Sequence, residues 1–556
     1  MRQECRLLQG QKSVLSSSVH LFTVIVTFLL FSAAAFGQNA VVRVNQLGYV
    51  NSASKRAYLM SKGSESGATF SLNSGGSSVF SAPIGADLGA WGAYLHVYAL
   101  DFDSVSTAGV YTIAVTGPTA ATSPSFKIDT AANIYSKALA NTLSYYQNSR
   151  DGANFIPSSL RTAAGHLNDQ HAGVFHTPSF DSSDNITSGP TSTGATIDAS
   201  GGWFDAGDYV KFVETHSYTV AVLGVGVRDF PNQMGSGSSQ SDFTAEVRFG
   251  TDWLLKMWDD SSRTLYYQVG LGTGNSTIVS DHDIWRLPQA DDTFGGSDST
   301  TRFIRNRPAL INTAGGAGAK ISPNLAGRLS ASFAICYQIF KNSDPAYASR
   351  CLLAAEHVFD LANTAPSGKL LTVAPFDFYG ESEWRDDLEL GATELYLALQ
   401  PGNLPAGLPH SDPNFYLTAA ANWAHAYIIG PGDAGDTLNL YDVTGLAHYE
   451  LFRALGLAGN PSGLAVTQST VLSDFQKELN NATTQGATNP FGFGFPWNQD
   501  DNASHGGGLS VMASEYKAMT GANTHAAHAE RWLDNILGAN AWGISFIVGD
   551  GTVFPD

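Results

Sequence analysis

Ser322-Pro323, the run Asn324–Lys341 (NLAGRLSASFAICYQIFK), the turn Asn342-Ser343-Asp344-Pro345 and the run Ala346–Ala362 (AYASRCLLAAEHVFDLA) form the stretch on which the fold turns. Ser322 supplies a capping oxygen, and Pro323 falls in the first turn, where its missing N–H has no helical partner to lose. Both runs carry apolar residues at helical spacing, so the segment reads as two antiparallel helices joined by a tight turn. Cys336 and Cys351 lie at equal sequence distance from the middle of that turn and are able to face each other. Two readings stay open: a disulfide, worth about 3 kcal/mol in the chain-entropy model, or two buried free thiols.

The same period recurs on both sides of the pair. It runs over Ala131–Asn148 behind an Asp129/Thr130 cap, Thr215–Val227, Asp242–Trp258, Asp386–Gln400, Pro413–Ile429, Tyr441–Leu455, Ser462–Asn481, Gly506–Met519 and Asn523–Leu537, giving eleven helices in all. Repeated helical pairs without intervening strands predict an α/α toroid, two concentric rings of helices whose loops at one end build a cleft. The loops are long and rich in Gly, Ser and Asp, and loops of that length are usually functional. Stretches 181–202 and 235–241 read as surface loops.

Ahead of the helices, Ala40 to Ile128 alternates in short runs. Val42, Val44, Tyr58, Leu59, Phe70, Leu72, Tyr94, Val97, Tyr98, Tyr111, Ile113 and Val115 are separated by turn residues, the pattern of a small antiparallel β-sandwich. Thr116–Pro124 is the connector. Residues 1–37 carry a basic stretch, an apolar run from Val19 to Phe31 and the small residues Ala33, Ala34, Ala35 and Gly37, the parts of a secretory signal peptide. The apolar run falls short of the roughly 20 residues a span needs. A cleaved chain that is secreted or periplasmic, with no membrane association, is expected, and Cys5 leaves with the signal.

Of 556 residues, 43% are hydrophobic and 14% charged, which excludes a disordered chain and allows a large core. Removing Arg2, Arg6, Lys12 and Glu4 with the signal takes the net charge from −19 to −21. So acidic a surface repels polyphosphate, and nucleic acid is not expected as a partner.

Three polar clusters are candidates for chemistry. In Gly201-Gly202-Trp203-Phe204-Asp205-Ala206-Gly207-Asp208-Tyr209-Val210-Lys211-Phe212, two carboxylates three apart are separated only by Ala and Gly. Small residues let a ligand approach the backbone, and paired acids orient and deprotonate one water. Trp203, Phe204 and Tyr209 offer flat faces of the kind on which pyranose rings stack. The same pattern also fits a plain Asp/Gly turn or a calcium loop. Asp281-His282-Asp283-Ile284-Trp285 reads either as solvated acids around a hydrogen-bonded histidine or as a metal site, without the His-Glu-x-x-His spacing of catalytic zinc. Glu381-Ser382-Glu383-Trp384-Arg385-Asp386-Asp387 has the oxygen ligands calcium prefers, or is a charged helix start with acids at its positive end.

The Trp203–Phe212 stretch resembles the Asp-Ala-Gly-Asp signature of glycoside hydrolase family 9, inverting cellulases built on an (α/α)6 barrel. Three more features agree in chain order: Val42-Arg-Val-Asn-Gln-Leu-Gly-Tyr49, like the opening strand of the immunoglobulin-like domain that precedes many of these barrels; Leu325-Ala-Gly-Arg-Leu329, like a barrel helix; and Leu537-Gly-Ala-Asn540 with Ser545-Phe-Ile-Val-Gly-Asp-Gly551, like the segment leading to the C-terminal catalytic region. The resemblance implies a mainly α chain with a signal peptide at 1–37, an immunoglobulin-like β-sandwich at 40–128 and the barrel at 129–556. It implies that Asp208 is the general base and that Asp205 holds the attacking water. His282 and Trp285 would line the sugar site, Tyr209, Tyr379, Trp384 and Trp497 would be sugar platforms, and Ser382, Asp386, Asp387 and Asp442 would bind a structural calcium ion.

The chain departs from that pattern at its end. A histidine-containing stretch and the catalytic-acid glutamate should follow Gly549-Asp550-Gly551, yet the sequence stops at Asp556 and the helices number one fewer than twelve. A C-terminally truncated member is therefore expected, its barrel incomplete with the last helix missing, supplying the base half of the mechanism and poor as an enzyme. The expected function is hydrolysis of β-1,4-glucan, a polysaccharide or oligosaccharide substrate. The alternatives are a non-catalytic carbohydrate-binding protein, or another α/α-toroid enzyme such as a polysaccharide lyase or an exo-acting glycosidase on cello- or amino-sugar oligosaccharides.

Overall fold

The computed structural model describes residues 38–237, 239, 241–312, 316–400, 404–433 and 438–555. The signal-like segment 1–37 lies outside the described residues, as do Ser238 and Gln240 of the expected 235–241 loop.

Two sheets form the N-terminal sandwich. One has the order β1-β3-β6, from Ala40–Arg43 (β1), Arg56–Ser61 (β3) and His96–Asp101 (β6). The other runs Tyr49–Val50 (β2), Phe126–Asp129 (β9), Gly109–Thr116 (β7), Thr69–Ser74 (β4) and Ser77–Pro83 (β5), with Ala121–Thr122 (β8) beside β7. The alternation seen in sequence is what closes this core: Val42, Leu59, Phe70, Leu72, Leu100, Ile113, Val115 and Ile128 all point inward and are buried.

Beyond it lie eleven long helices among the described residues: α1 (Ala131–Ser149), α2 (Val213–Asp229), α3 (Thr244–Met257), α4 (Pro323–Phe340), α5 (Pro345–Asp360), α6 (Arg385–Ala398), α7 (Pro413–Ile428), α8 (Thr444–Leu457), α9 (Gln468–Gly486), α10 (Asn502–Thr520) and α11 (Ala526–Ile536). All eleven expected helices are present. The largest boundary error is at α9, expected from Ser462 and found from Gln468, because Thr467 and Thr470 form a reciprocal cap there. None of the described helices is long and apolar enough to cross a membrane.

α4 packs against α2, α5 and α6, so it is almost wholly buried and has no polar face. Its approach to α6 is backbone to backbone. A Cβ on Gly327 would sit 2.3 Å from the Asp387 carbonyl, and one on Gly391 would sit 2.7 Å from the Gly327 carbonyl oxygen. That contact is why the Leu325-Ala-Gly-Arg-Leu329 segment needs glycine at its centre. On α4 and α5, Cys336 and Cys351 do face each other, Sγ to Sγ 2.7 Å, fully buried. They stand as two free thiols and no disulfide joins them.

The expectation of helical pairs without strands needs correction. Between α1 and α4 the chain lays down Ala172–His176 (β10), Ser179–Phe180 (β11), Ile186–Ser188 (β12), Thr191–Ile197 (β13), Lys211–Phe212 (β14), Trp258–Asp259 (β15), Thr264–Val269 (β16) and Ala309–Ile311 (β17). Five of them form a sheet of order β13-β10-β17-β16-β14, with β15 paired to β16. Stretch 181–202 is thus partly strand, since the Thr-rich run of β13 pairs antiparallel with β10. This sheet holds the Asp205–Asp208 turn, whose chain continues directly into β14 and α2.

The two domains meet through the motif that opens the sandwich. The Asn45 amide donates to Asp534 Oδ1 at 2.7 Å, the Gln46 N–H to the Leu537 carbonyl at 2.9 Å, and the Tyr58 hydroxyl to the Phe491 carbonyl at 2.7 Å.

Candidate active site

The Asp205–Asp208 turn begins at two glycines in the left-handed region, Gly201 (φ 90°) and Gly202 (φ 78°). A Cβ on Gly202 would lie 2.8 Å from the Trp253 ring, so no other residue fits. Trp203, which follows, is structural: it is buried, its indole N–H donates to Glu246 Oε1 at 2.7 Å and its ring stacks on His216. The turn is then closed by the Asp205 N–H donating to the Val210 carbonyl at 3.1 Å and by the Val210 N–H donating to Asp208 Oδ1 at 3.0 Å.

These bonds leave Asp208 Oδ2 for His282, whose Nε2 is 2.8 Å away. The His282 ring lies over Phe378, with centroids 4.7 Å apart. Burial, then the nearby carboxylates of Asp205 and Asp281, push the Asp208 pKa up to about 7 against the pull of the Val210 N–H and Arg307. Asp205 is also raised, again chiefly by burial, but hydrogen bonds from Tyr379, Thr215 and the Ala206 N–H favour its charged form. The Tyr379 hydroxyl donates to Asp205 Oδ2 at 2.5 Å. Two carboxyls in one turn are thus given different partners, one a histidine and one a phenol. Beside Asp205 opens a cavity of about 280 Å³ lined by Tyr145, Tyr146, Phe204, Thr215, Tyr379 and Ser504 among others.

Behind the turn is a buried charge network that the sequence did not disclose. The Lys211 ammonium, fully buried, donates to Asp151 (2.8 Å), Asp169 (3.0 Å) and the carbonyls of Ala199 (3.0 Å) and Gly201 (2.8 Å). Arg307 adds bonds to Asp169 at 2.9 Å and Asp151 at 3.3 Å, and its guanidinium also donates to the Tyr209 carbonyl. His166 bridges Asp151 and Asp291, each at 2.8 Å, and Arg286 links Asp291 (2.7 Å) to Asp281 (2.8 Å). Burial alone would lower the His166 pKa, but Asp151 and Asp291 outweigh it and raise it. With His166 protonated, four carboxylates meet three permanent cations and an imidazolium. The residues of this network are scattered over positions 151 to 307, so no local pattern could have announced it.

The remaining expected residues divide. Trp285 is 91% exposed and its ring edge would lie 3.6 Å from a Cβ on Gly207, an open aromatic face beside the Asp205–Asp208 turn. Tyr209 is committed internally, its hydroxyl donating to the Arg286 carbonyl at 2.5 Å and its ring lying under the Arg286 guanidinium. Trp384 is not a platform: it is buried in the barrel core against Trp423, with Arg385 over its face. Trp497 sits at the domain junction, between Phe493, Trp542 and Trp91 of the sandwich.

The four residues expected to bind calcium are not gathered into one cage. Arg328, fully buried, takes both oxygens of Asp387 (2.8 and 3.1 Å), together with Glu214 at 2.7 Å and Glu381. Ser382 is exposed. Asp386 accepts the Val443 N–H at 2.7 Å through one oxygen, while the other is buried without a hydrogen-bond partner. Asp442 accepts from the Tyr427 hydroxyl at 3.0 Å and the Thr444 N–H at 2.9 Å. Among the described residues, the acidic group whose ligand atoms converge is Asp433, Asp474 and Glu478.

Comparison with known proteins agrees with this architecture. Residues 37–120 match the cellulase N-terminal ig-like domain, and residues 135–556 match glycosyl hydrolase family 9. Endoglucanase 2 of rice (Oryza sativa subsp. japonica) is 25% identical over 449 residues, covering 76% of this chain and 60% of the rice protein. The chain spans less than two-thirds of the length of the first curated relatives it matches. Among solved structures, the GH9 protein of Bacteroides ovatus aligns with a TM-score of 0.64 at 20% identity, covering 92% of this chain and 87% of that one. AaCel9A in complex with cellobiose-like isofagomine aligns at 0.65 and 19% identity, covering 92% and 85%. Since the family model spans well over half of the residues, including the turn that carries Asp205 and Asp208, the chain belongs to glycosyl hydrolase family 9.

Proposed function

We propose that this protein is an exported glycoside hydrolase that cleaves β-1,4-glucosidic bonds of a cellulose-like polysaccharide with inversion at the anomeric carbon. The observation that carries the reading is the divided pair: Asp208 faces His282 at 2.8 Å and has a pKa raised to about 7, while Asp205 is held by the Tyr379 hydroxyl. A base poised near the working pH takes a proton from water most effectively. Asp205, held by the Tyr379 hydroxyl, orients that water. Trp285 supplies an exposed flat face on which a pyranose ring stacks.

In this mechanism Asp208 accepts a proton from water as the water attacks the anomeric carbon; the leaving glycosidic oxygen must take a proton from a carboxylic acid on the opposite face, a role to which no described residue is assigned. The water needs room, which in inverting enzymes sets the two carboxyls about 6.5–9.5 Å apart. The relatives named as endoglucanases support the substrate class. Calcium belongs to the same reading as a structural ion and takes no part in the chemistry. Export follows from the signal-like segment 1–37, and amino-terminal sequencing of secreted protein should start near Gln38.

The experiment is proton NMR of cellopentaose digestion by the full-length protein. The reading requires the α-anomer as the first product. A β-anomer would refute inversion, and binding of the oligosaccharide without cleavage would favour a carbohydrate-binding role.

A further inference from the structure

We propose that Asp433, Asp474 and Glu478 form a calcium site that ties the loop following α7 to α9. One carboxylate oxygen from each of the three lies within 4.8 Å of the other two. Asp474 and Glu478 are one turn apart on α9 and so project from the same face, where two like charges repel unless something answers them. Asp433 reaches the same point from the loop that follows α7.

The independent observation is the state of Glu478. Its side chain is fully buried, and neither carboxylate oxygen has a hydrogen-bond partner among the described residues. An interior carboxylate left without a donor is among the costliest arrangements a fold can hold, and it persists where a cation completes it. The neighbouring cations do not complete it. Lys477 is paired with Asp433 and, at 2.7 Å, with Asp474 Oδ1. His448 faces Asp474 Oδ2 at 3.3 Å but is already bonded through Nδ1 to Glu389 at 2.7 Å. Three carboxylates therefore share one lysine and part of one imidazole, a deficit that a divalent ion fills.

The donor set is entirely oxygen, which selects a hard cation such as calcium over zinc. The Asp433 side chain retains 16% of its exposure, so the site opens toward solvent on that side and water can supply further ligands. None of the three residues belongs to the set Ser382, Asp386, Asp387 and Asp442 implied by the family resemblance, and the inference does not depend on the glucanase reading.

The test uses full-length protein stripped with a chelator and titrated with calcium chloride by calorimetry, with magnesium and zinc chloride as comparison ions and thermal melting as a second readout. Wild type should bind calcium in preference to the other two and melt at a higher temperature with it. Glu478→Gln should weaken calcium binding by about tenfold or more, and so should Asp433→Asn, whose loop position lets it decide the matter should the buried variant fail to fold. Absence of calcium binding by wild type, or wild-type affinity in Asp433→Asn, would overturn the assignment.

Discussion

His282 Nε2 lies 2.8 Å from Asp208 Oδ2, while the other oxygen of Asp208 accepts the Val210 N–H at 3.0 Å. The backbone thus aims the carboxylate, and the half-exposed imidazole is its contact on the solvent side. Because the carboxyl is buried beside Asp205 and Asp281, it ionises only near pH 7.

That pKa sets a pH profile. General-base action needs the carboxylate, so kcat/KM on a soluble cello-oligosaccharide should fall on the acid side, with its midpoint near 7, and rise toward higher pH. Initial rates across the neutral range measure this directly, and an acid limb centred near the ordinary carboxylate range would show that burial does not govern Asp208.

The same shift carries a stability cost. The folded pKa of Asp208 is about 7 against 3.8 for an unperturbed aspartate, so between those values the folded state binds more protons than the unfolded one, and this residue's contribution falls as pH rises. Asp208→Asn removes the cost. Urea unfolding should find the variant more stable than wild type above pH 7, by up to about 4 kcal/mol, with the difference vanishing near the unfolded pKa.

Tyr379→Phe deletes the donor to Asp205 Oδ2 and nothing else of the ring. A hydrogen bond to a charged group is worth about 1.5–3 kcal/mol, so kcat should fall roughly tenfold to a hundredfold while KM changes little. A change confined to KM would make Tyr379 a sugar contact instead.

Lys211→Met leaves Asp151 and Asp169 short of a cation in the interior behind the turn. Breaking a buried pair in this way costs about 3–5 kcal/mol, and urea unfolding at neutral pH should show a loss of that order. Stability unchanged within error would mean that Arg307 and His166 suffice.

The eleven helices and the sandwich were legible in the chain because their apolar periods are local. Asp205 and Asp208 were legible for the same reason, three residues apart in a glycine-flanked turn. What escaped was non-local. Strands β10 to β17 are two to seven residues long and lie in Gly- and Ser-rich stretches, so they exist only through partners such as β10 with β17. Trp384 and Trp285 are the same residue type near charged neighbours, and only packing separates a core indole from one that is 91% exposed. The Lys211 and Arg307 network, and the convergence of Asp433 on Asp474 and Glu478, join positions that no spacing rule connects.

The assignment of Asp208 as the base is tested most directly by single-turnover hydrolysis of a soluble cello-oligosaccharide by full-length Asp208→Asn beside wild type and Asp205→Asn. The account predicts that Asp208→Asn loses at least about a hundredfold in rate with oligosaccharide binding retained, and that Asp205→Asn is impaired with binding also kept. Turnover of Asp208→Asn near that of wild type would contradict it.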